Sequence, residues 1–174
     1  MVTVPADVET RIRALEARIS VLEDIEAIRK LKTKYWRSLD LKQWDELADC
    51  YTEDFVFTMN APGGMKTEGR KEFVEMLKSR FRDSYMMTAH QGHQSNIEIT
   101  SETSAKGIWT LRDHLVDSQA NTVMRGRGYY EDEYAKANAK WQIRSTKLTY
   151  LVTEGQKSGY DRELASWPRP EENR

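Results

Sequence analysis

Scarcity bounds this chain before any motif does. Of 174 residues one is a cysteine, Cys50. An intramolecular disulfide is impossible, and a cytoplasmic address follows by default. No run of eighteen apolar residues occurs, and no cationic leader precedes an apolar core, so neither membrane spanning nor export is expected. Charge of one sign is also lacking: 27 basic residues face 28 acidic ones, with no block of either. That removes the electrostatic footprint of a nucleic-acid binder. Pro5 and Pro62 have no proline or glycine between them, which leaves room for a long uninterrupted helix.

What is present suits one globular domain. Apolar residues are 39% and charged residues 32% of a chain too short for two comfortable cores. Val8, Ile12, Leu15, Ile19, Leu22, Ile25, Ile28, Leu31, Tyr35 and Leu39 recur at spacings of three and four, the helical period. Pro5 and Asp7 suit its first turn and cap. A helix from Asp7 to Leu39 would run roughly 50 Å at about 1.5 Å per residue, longer than such a domain is wide. Either it breaks near Leu22–Asp24 or its first half projects. That half keeps a strict heptad from Val8 to Leu22, the seam geometry of helix against helix. Folding back on its own domain and docking a partner, first of all a like subunit, both stay open. Residues 1–22 therefore read as an extension, 23–153 as the domain and 154–174 as a tail.

A short helix, Leu41–Cys50, follows, then a strand, Asp54–Met59, a turn at Ala61–Gly64 and an extended piece, Met65–Glu68. The next helix, Arg70–Arg82, buries Phe73, Val74, Leu77 and Phe81. From Thr88 the period becomes two, with strands at Thr88–Thr100, Ala105–Val116, Val123–Tyr134 and Lys140–Thr153. Long strands joined by short loops predict an antiparallel, strongly curved sheet. Helices first and strands after is the α+β pattern. Helices across the concave side make a cone-shaped α+β barrel with a central pocket for a small ligand. The tail with Trp167-Pro168-Arg169-Pro170 either covers the mouth of the cone or takes no fixed structure.

Tyr35 and Asp40 are five positions apart, about 140° around an ideal helix. Both address one cavity only if the helix stops near Leu39. Asp40 reads equally as an N-cap of the next helix, and Tyr35 as an amphipathic core residue. His90 and His93, three apart on a strand, point to opposite faces unless Gly92 introduces a bulge. No Cys or Glu nearby completes a ligand set, so a metal site is not expected. His114 faces away from Trp109, Leu111 and Asp113 and reads as structural or surface. Gly126 and Gly128 lie inside a strand, where they serve curvature or close packing. Cys50 reads as core.

Ile25-Glu26-Ala27-Ile28-Arg29-Lys30-Leu31-Lys32, running on through Lys34-Tyr35, Arg37 and Leu39-Asp40, precedes Trp44-Asp45-Glu46-Leu47. With His90-Gln91-Gly92-His93 and Gly107-Ile108-Trp109-Thr110-Leu111-Arg112-Asp113, this pattern resembles the SnoaL-like branch of the nuclear transport factor two-like superfamily. It is most similar to the bile-acid dehydratases over Leu22 to about Thr153, and more distantly to scytalone dehydratase and hexachlorocyclohexane dehydrochlorinase. The resemblance implies that Tyr35, Asp40 and His90 are catalytic, that no cofactor takes part, and that the chain is a homo-oligomer, a trimer first of all. Two polar positions of the bile-acid enzymes do not carry over: Met59 stands where they have a pocket tyrosine, Tyr150 where they have an arginine.

The expectation is a cofactor-free lyase acting on a hydrophobic, ring-bearing small molecule. His90 would be the general base, since an imidazole ordinarily titrates near working pH. Asp40 would hold the ring, and Tyr35 would donate to developing oxygen charge. Phe55, Phe57, Met59, Trp109, Leu111, Tyr130 and Tyr150 are the candidate substrate-binding wall, with ordinary core the alternative for at least half. Formaldehyde-releasing carbon–carbon cleavage of a lignin-derived aromatic dimer, isomerisation and polyketide cyclisation are the competing chemistries. A non-catalytic ligand-binding or assembly module is the competing class. It would leave Asp40 and His90 on separate surfaces.

Overall fold

The structure, a computed structural model, describes residues 6–60, 64–81 and 85–157. Pro5, Arg82, most of the expected turn before Gly64 and the tail beyond Lys157, Trp167 included, lie outside those residues. The first helix, α1 (Ala6–Asp40), runs unbroken for 35 residues. No break occurs at Leu22–Asp24; the first half projects. Residues 7–23 are all exposed, whereas Ile28, Leu31, Tyr35, Trp36 and Leu39 are buried. The change comes at Asp24, whose Oδ1 accepts hydrogen bonds from Trp141 Nε1 at 2.7 Å and Lys136 Nζ at 2.6 Å.

The way α1 ends positions the site. Gln43 N–H donates to Ser38 O at 2.8 Å and Lys42 N–H to Leu39 O at 3.2 Å. Lys42 has a left-handed backbone, φ 58°. This is the Schellman termination, with lysine where glycine is usual. It consumes Leu41–Gln43, so the second helix is only Trp44–Ala48 (α2), shorter than the expected Leu41–Cys50. Its first flanking residue is Gln43, with no side-chain cap. Asp40 is still helical and caps nothing.

Six strands follow: β1 (Tyr51–Met59), β2 (Met65–Glu68), then, after α3 (Arg70–Phe81), β3 (Met86–Ser101), β4 (Ser104–Asp117), β5 (Thr122–Ala137) and β6 (Lys140–Lys157). They form one sheet in the order β2-β1-β6-β5-β4-β3. The sheet is not wholly antiparallel as expected, because β1 pairs parallel to β6. Alternation along a strand reports which face is wet and carries no direction, so periodicity had no means of showing this. The sheet is curved and unclosed, with β2 and β3 at its edges. Helices α1 and α3 pack on its concave side, α1 against β3 and β6 and α3 against β1.

Inward positions alternate along β4 and β5: Ala105, Trp109, Leu111, Asp113 and Leu115, then Tyr130, Asp132 and Tyr134, are buried. The core between sheet and helices is rich in rings. Tyr51 and Phe55 stack at 4.2 Å, and Phe73 of α3 meets Phe55 at 5.0 Å and Phe57 at 4.8 Å. Lys32 is fully buried beside Asp132, Nζ to Oδ2 2.7 Å, and lies 4.0 Å from the Tyr130 ring centroid. Asp132 also accepts from Tyr134 Oη at 2.7 Å and Thr146 Oγ1 at 2.8 Å. Burial pushes the Lys32 ammonium pKa down despite that partner, the penalty expected for a charge taken out of water. Among the described residues no helix is long and apolar enough to cross a membrane.

Candidate active site

One face of α1 carries Lys32, Trp36 and Asp40 at i, i+4, i+8, and neighbours at that spacing share a helix face. Trp36 packs directly on Gly92: a Cβ built on Gly92 would fall 1.7 Å from Trp36 Cη2. One turn on, Asp40 meets His90, two residues back along β3 and therefore on the same side of that strand. The register runs unbroken through Gly92, so His90 and His93 point to opposite faces; the bulge in β3 falls between His93 and Asn96, at the left-handed Gln94. The absent side chain of Gly92 makes room for the tryptophan. His93 pairs with Thr110 on the opposite, convex face.

Asp40 uses both oxygens on β3. Oδ1 is 2.6 Å from His90 Nδ1 and accepts the Thr88 hydroxyl at 2.9 Å, while Oδ2 accepts the His90 backbone N–H at 2.8 Å. β3 is an edge strand, and the carboxylate satisfies one of its outward amides. Lys42 Nζ donates to Thr88 Oγ1 at 3.0 Å. The lysine is half-buried against the Phe81 ring, 5.0 Å away, and burial lowers its pKa to about 8 against the opposing pull of Asp40. Lysine, threonine, carboxylate and imidazole thus form one chain. With Nδ1 committed to Asp40, Nε2 is the ring nitrogen left for chemistry. The His90 side chain is 7% exposed and lines a cavity of about 500 Å³.

The cavity opens between α3 and the strands. Phe73, Met76, Leu77, Arg80 and Phe81 of α3 form one wall, and Phe57, Met59 and Met65 another. Leu115, Met124, Tyr130, Leu148 and Tyr150 lie on the sheet side, Tyr35, Leu39 and His90 line it as well, and Asn60 with Leu151, Val152, Thr153 and Gly155 of β6 make up the rest. Tyr35 is buried against Tyr130, rings edge to face at 6.1 Å, and desolvation holds its hydroxyl pKa well above the ordinary phenol range. It therefore stays protonated and able to donate. Tyr35 faces the cavity while Asp40 faces β3, so the 140° between them is used rather than removed.

Of the expected substrate wall, Phe57, Met59, Tyr130 and Tyr150 line this cavity; Phe55, Trp109 and Leu111 do not. Phe55 is sealed between Tyr51 and Phe73. Trp109 packs edge-on to Trp36 at 5.4 Å and donates Nε1–H to Tyr134 Oη at 2.8 Å. Leu111 is buried and pairs across the ladder with Gly92. His114 is on the convex face, part-buried, with its pKa lowered by desolvation and by Arg125 and Arg112.

Sequence reasoning missed Thr88, Lys42 and a second carboxylate, Asp113. Thr88 had a signal: it stands two residues before His90, on the same strand face. Asp113 is 2% exposed and pairs across the ladder with His90. Its Oδ2 accepts the Tyr150 hydroxyl, whose pKa burial and that carboxylate raise far above normal. Asp113 Oδ1 has no hydrogen-bond partner among the described residues. Among the described residues no three or more His, Cys, Asp or Glu side chains are placed to hold a metal ion.

Solved structures resemble this fold across most of their length. A candidate scytalone dehydratase of Novosphingobium aromaticivorans superposes with TM-score 0.72 at 22% identity, over 79% of this chain and 90% of its own. A type 2 hexachlorocyclohexane dehydrochlorinase gives 0.73 at 17%, over 82% and 95%. ActVI-ORFA of Streptomyces coelicolor gives 0.62 at 15%, over 73% and 96%. At these identities the likeness is one of fold. The SnoaL-like domain profile matches residues 20–147, well over half of the chain, and the protein belongs to that family.

Proposed function

We propose that the protein is a cofactor-independent lyase that eliminates water from a hydrophobic, ring-bearing small molecule. One observation carries this reading: the His90–Asp40 contact of 2.6 Å at the wall of a mainly apolar cavity. A pure binding module has no use for a carboxylate that fixes an imidazole and leaves its other nitrogen facing the ligand space. In the step proposed, His90 Nε2 takes a proton from the carbon next to the one bearing the leaving hydroxyl. The C–H electrons form the new double bond, and the C–O bond breaks. The departing hydroxyl recovers a proton from the imidazolium and leaves as water. Asp40 fixes the Nδ1–H tautomer and stabilises the imidazolium while it exists. Tyr35, neutral in its desolvated setting, donates to oxygen charge as it develops. Phe57, Met59, Tyr130 and Tyr150 hold the ring.

The similar solved structures named for a dehydratase and a dehydrochlorinase are in keeping with an elimination. Wild type and His90→Ala should be incubated with a panel of hydroxylated aromatics and hydroxy-enones, with products weighed by mass spectrometry. Loss of water that falls by roughly 10²–10⁴ in the variant is expected for a general base. Loss of formaldehyde would make the reaction a carbon–carbon cleavage, and unchanged turnover in His90→Ala would remove His90 from the chemistry.

A further inference from the structure

Among the described residues, the apolar positions in the first half of α1 lie exposed. Counted in heptads, Ile12 and Ile19 occupy the a positions and Val8, Leu15 and Leu22 the d positions, and all five are between 40% and 64% exposed. Beside them the e positions are Glu9, Glu16 and Glu23, and the g positions Arg11 and Arg18. The register ends at Leu22. A next a residue would be Glu26, but Ile25 and Ile28 carry the apolar face round to the chain's own core, where Ile28 is fully buried. The family domain begins at residue 20, so nearly all of the seam is additional to it.

We propose that residues 8–22 form a parallel, two-stranded coiled coil with the same segment of a second copy of this chain. The charges choose the orientation. In a parallel pair each g residue faces the e residue five positions on in the partner. Arg11 then meets Glu16 and Arg18 meets Glu23 on both sides of the seam. In an antiparallel pair g faces g and e faces e, setting arginine against arginine and glutamate against glutamate. Ile at a with Leu at d is the packing that favours two strands. Fifteen residues alone would be a marginal helix, but this segment is continuous with the docked half of α1.

Multi-angle light scattering of the full chain should give twice its 20.3 kDa mass, falling to one chain in Leu15→Lys/Ile19→Lys. Three chains, as the family resemblance suggests, or a seam variant with unchanged mass would overturn the proposal. Two charge variants test the pairing. Arg11→Glu/Arg18→Glu and Glu16→Arg/Glu23→Arg should each dissociate on the order of tenfold more readily, given a few tenths of a kcal/mol per like-charge pair. Their equimolar mixture should recover the dimer, and failure of the mixture to do so refutes the pairing. Orientation is read with Val8→Cys: parallel strands place the two thiols together and allow a disulfide-linked dimer on oxidation. A dimer that does not cross-link would refute parallel packing.

Discussion

Asp40→Asn separates what the carboxylate does chemically from what it does structurally. The aspartate takes three donors on two oxygens: the His90 ring N–H, the His90 amide and the Thr88 hydroxyl. An asparagine of the same shape offers one oxygen and one NH₂. With the NH₂ turned toward the His90 amide, two donors oppose each other and a poorly solvated amide goes unpaired, costing about 1–3 kcal/mol. With the oxygen on that amide instead, the NH₂ donates to His90 Nδ1, and Thr88 turns to accept. The amide and the ring are then satisfied and only the Thr88 hydroxyl proton loses its acceptor, but the imidazole proton is driven to Nε2 and the base is blocked. The productive tautomer survives only in the costlier arrangement, a factor of roughly 5–150 at about 1.4 kcal/mol per decade.

Loss of the charged acceptor opposite the imidazolium adds about tenfold, the difference between a charge-assisted and a neutral hydrogen bond. The expected fall in kcat is therefore on the order of 10²–10³, with melting temperature little changed. Turnover by mass spectrometry gives the rate. Long-range ¹H–¹⁵N correlation spectra report which ring nitrogen carries the proton, Nδ1 in wild type and Nε2 in the variant. Turnover within threefold of wild type would refute the role given to Asp40. A slow variant that still carries its proton on Nδ1 would refute the tautomer argument specifically.

Gly92→Ala places a methyl inside the Trp36 ring, and overpacking of this kind costs about 1–3 kcal/mol. Chemical denaturation should show that loss, with kcat lowered too because Asp40 lies one turn from Trp36; Trp36→Leu in the same chain should recover part of the stability, and no recovery would argue against the clash. Lys42 should give a pH signature. Its folded-state pKa, about 8, lies below the ordinary lysine value, so between about pH 8 and pH 10.5 the unfolded chain binds more protons and stability rises with pH. Below that window the burial penalty is fully present. Thermal melts should show wild type gaining on Lys42→Met from pH 8 to about pH 10, and a flat difference would contradict the assignment.

Much of the fold was legible because alternation and helical period are local. The expected strand Ala105–Val116 is Ser104–Asp117, and Thr88–Thr100 is Met86–Ser101. The turn expected over Ala135–Ala139 is tighter, because Asn138 and Ala139 both adopt left-handed backbone, φ 51° and 60°, in the manner of a two-residue hairpin turn. Asparagine signals such a turn, whereas alanine hides it. The cavity was less legible. Trp109 and Leu111 share a strand face with Leu115, which lines it, so periodicity treats all three alike. What excludes the first two is height along the cone: α1 fills that end with Trp36. Period gives the face and not the height. The Asp113–Tyr150 bond and the Lys32–Asp132 pair depend on register between distant elements, and nothing local announces either.

Two departures from local preference stand side by side at the end of α1. A carboxylate in the last turn of a helix faces the negative end of the dipole, disfavoured by about 0.3–1 kcal/mol. Two residues on, Lys42 takes a left-handed conformation that costs a non-glycine residue roughly 1–2 kcal/mol. A sequence selected for helix stability alone would place lysine or arginine at the first position and glycine at the second. Here both side chains converge on Thr88, one accepting its proton and the other donating to its oxygen. Exchanging either for the locally preferred residue would break the chain that holds the His90 ring. Strain of this kind persists where the surroundings over-determine it, and it gathers at functional sites. Asp40 had been balanced between capping the next helix and holding the histidine. Gln43 stands at the cap position, and both Asp40 oxygens are spent on β3. The cost at the helix end is therefore offset by the contacts made with β3, the imidazole among them.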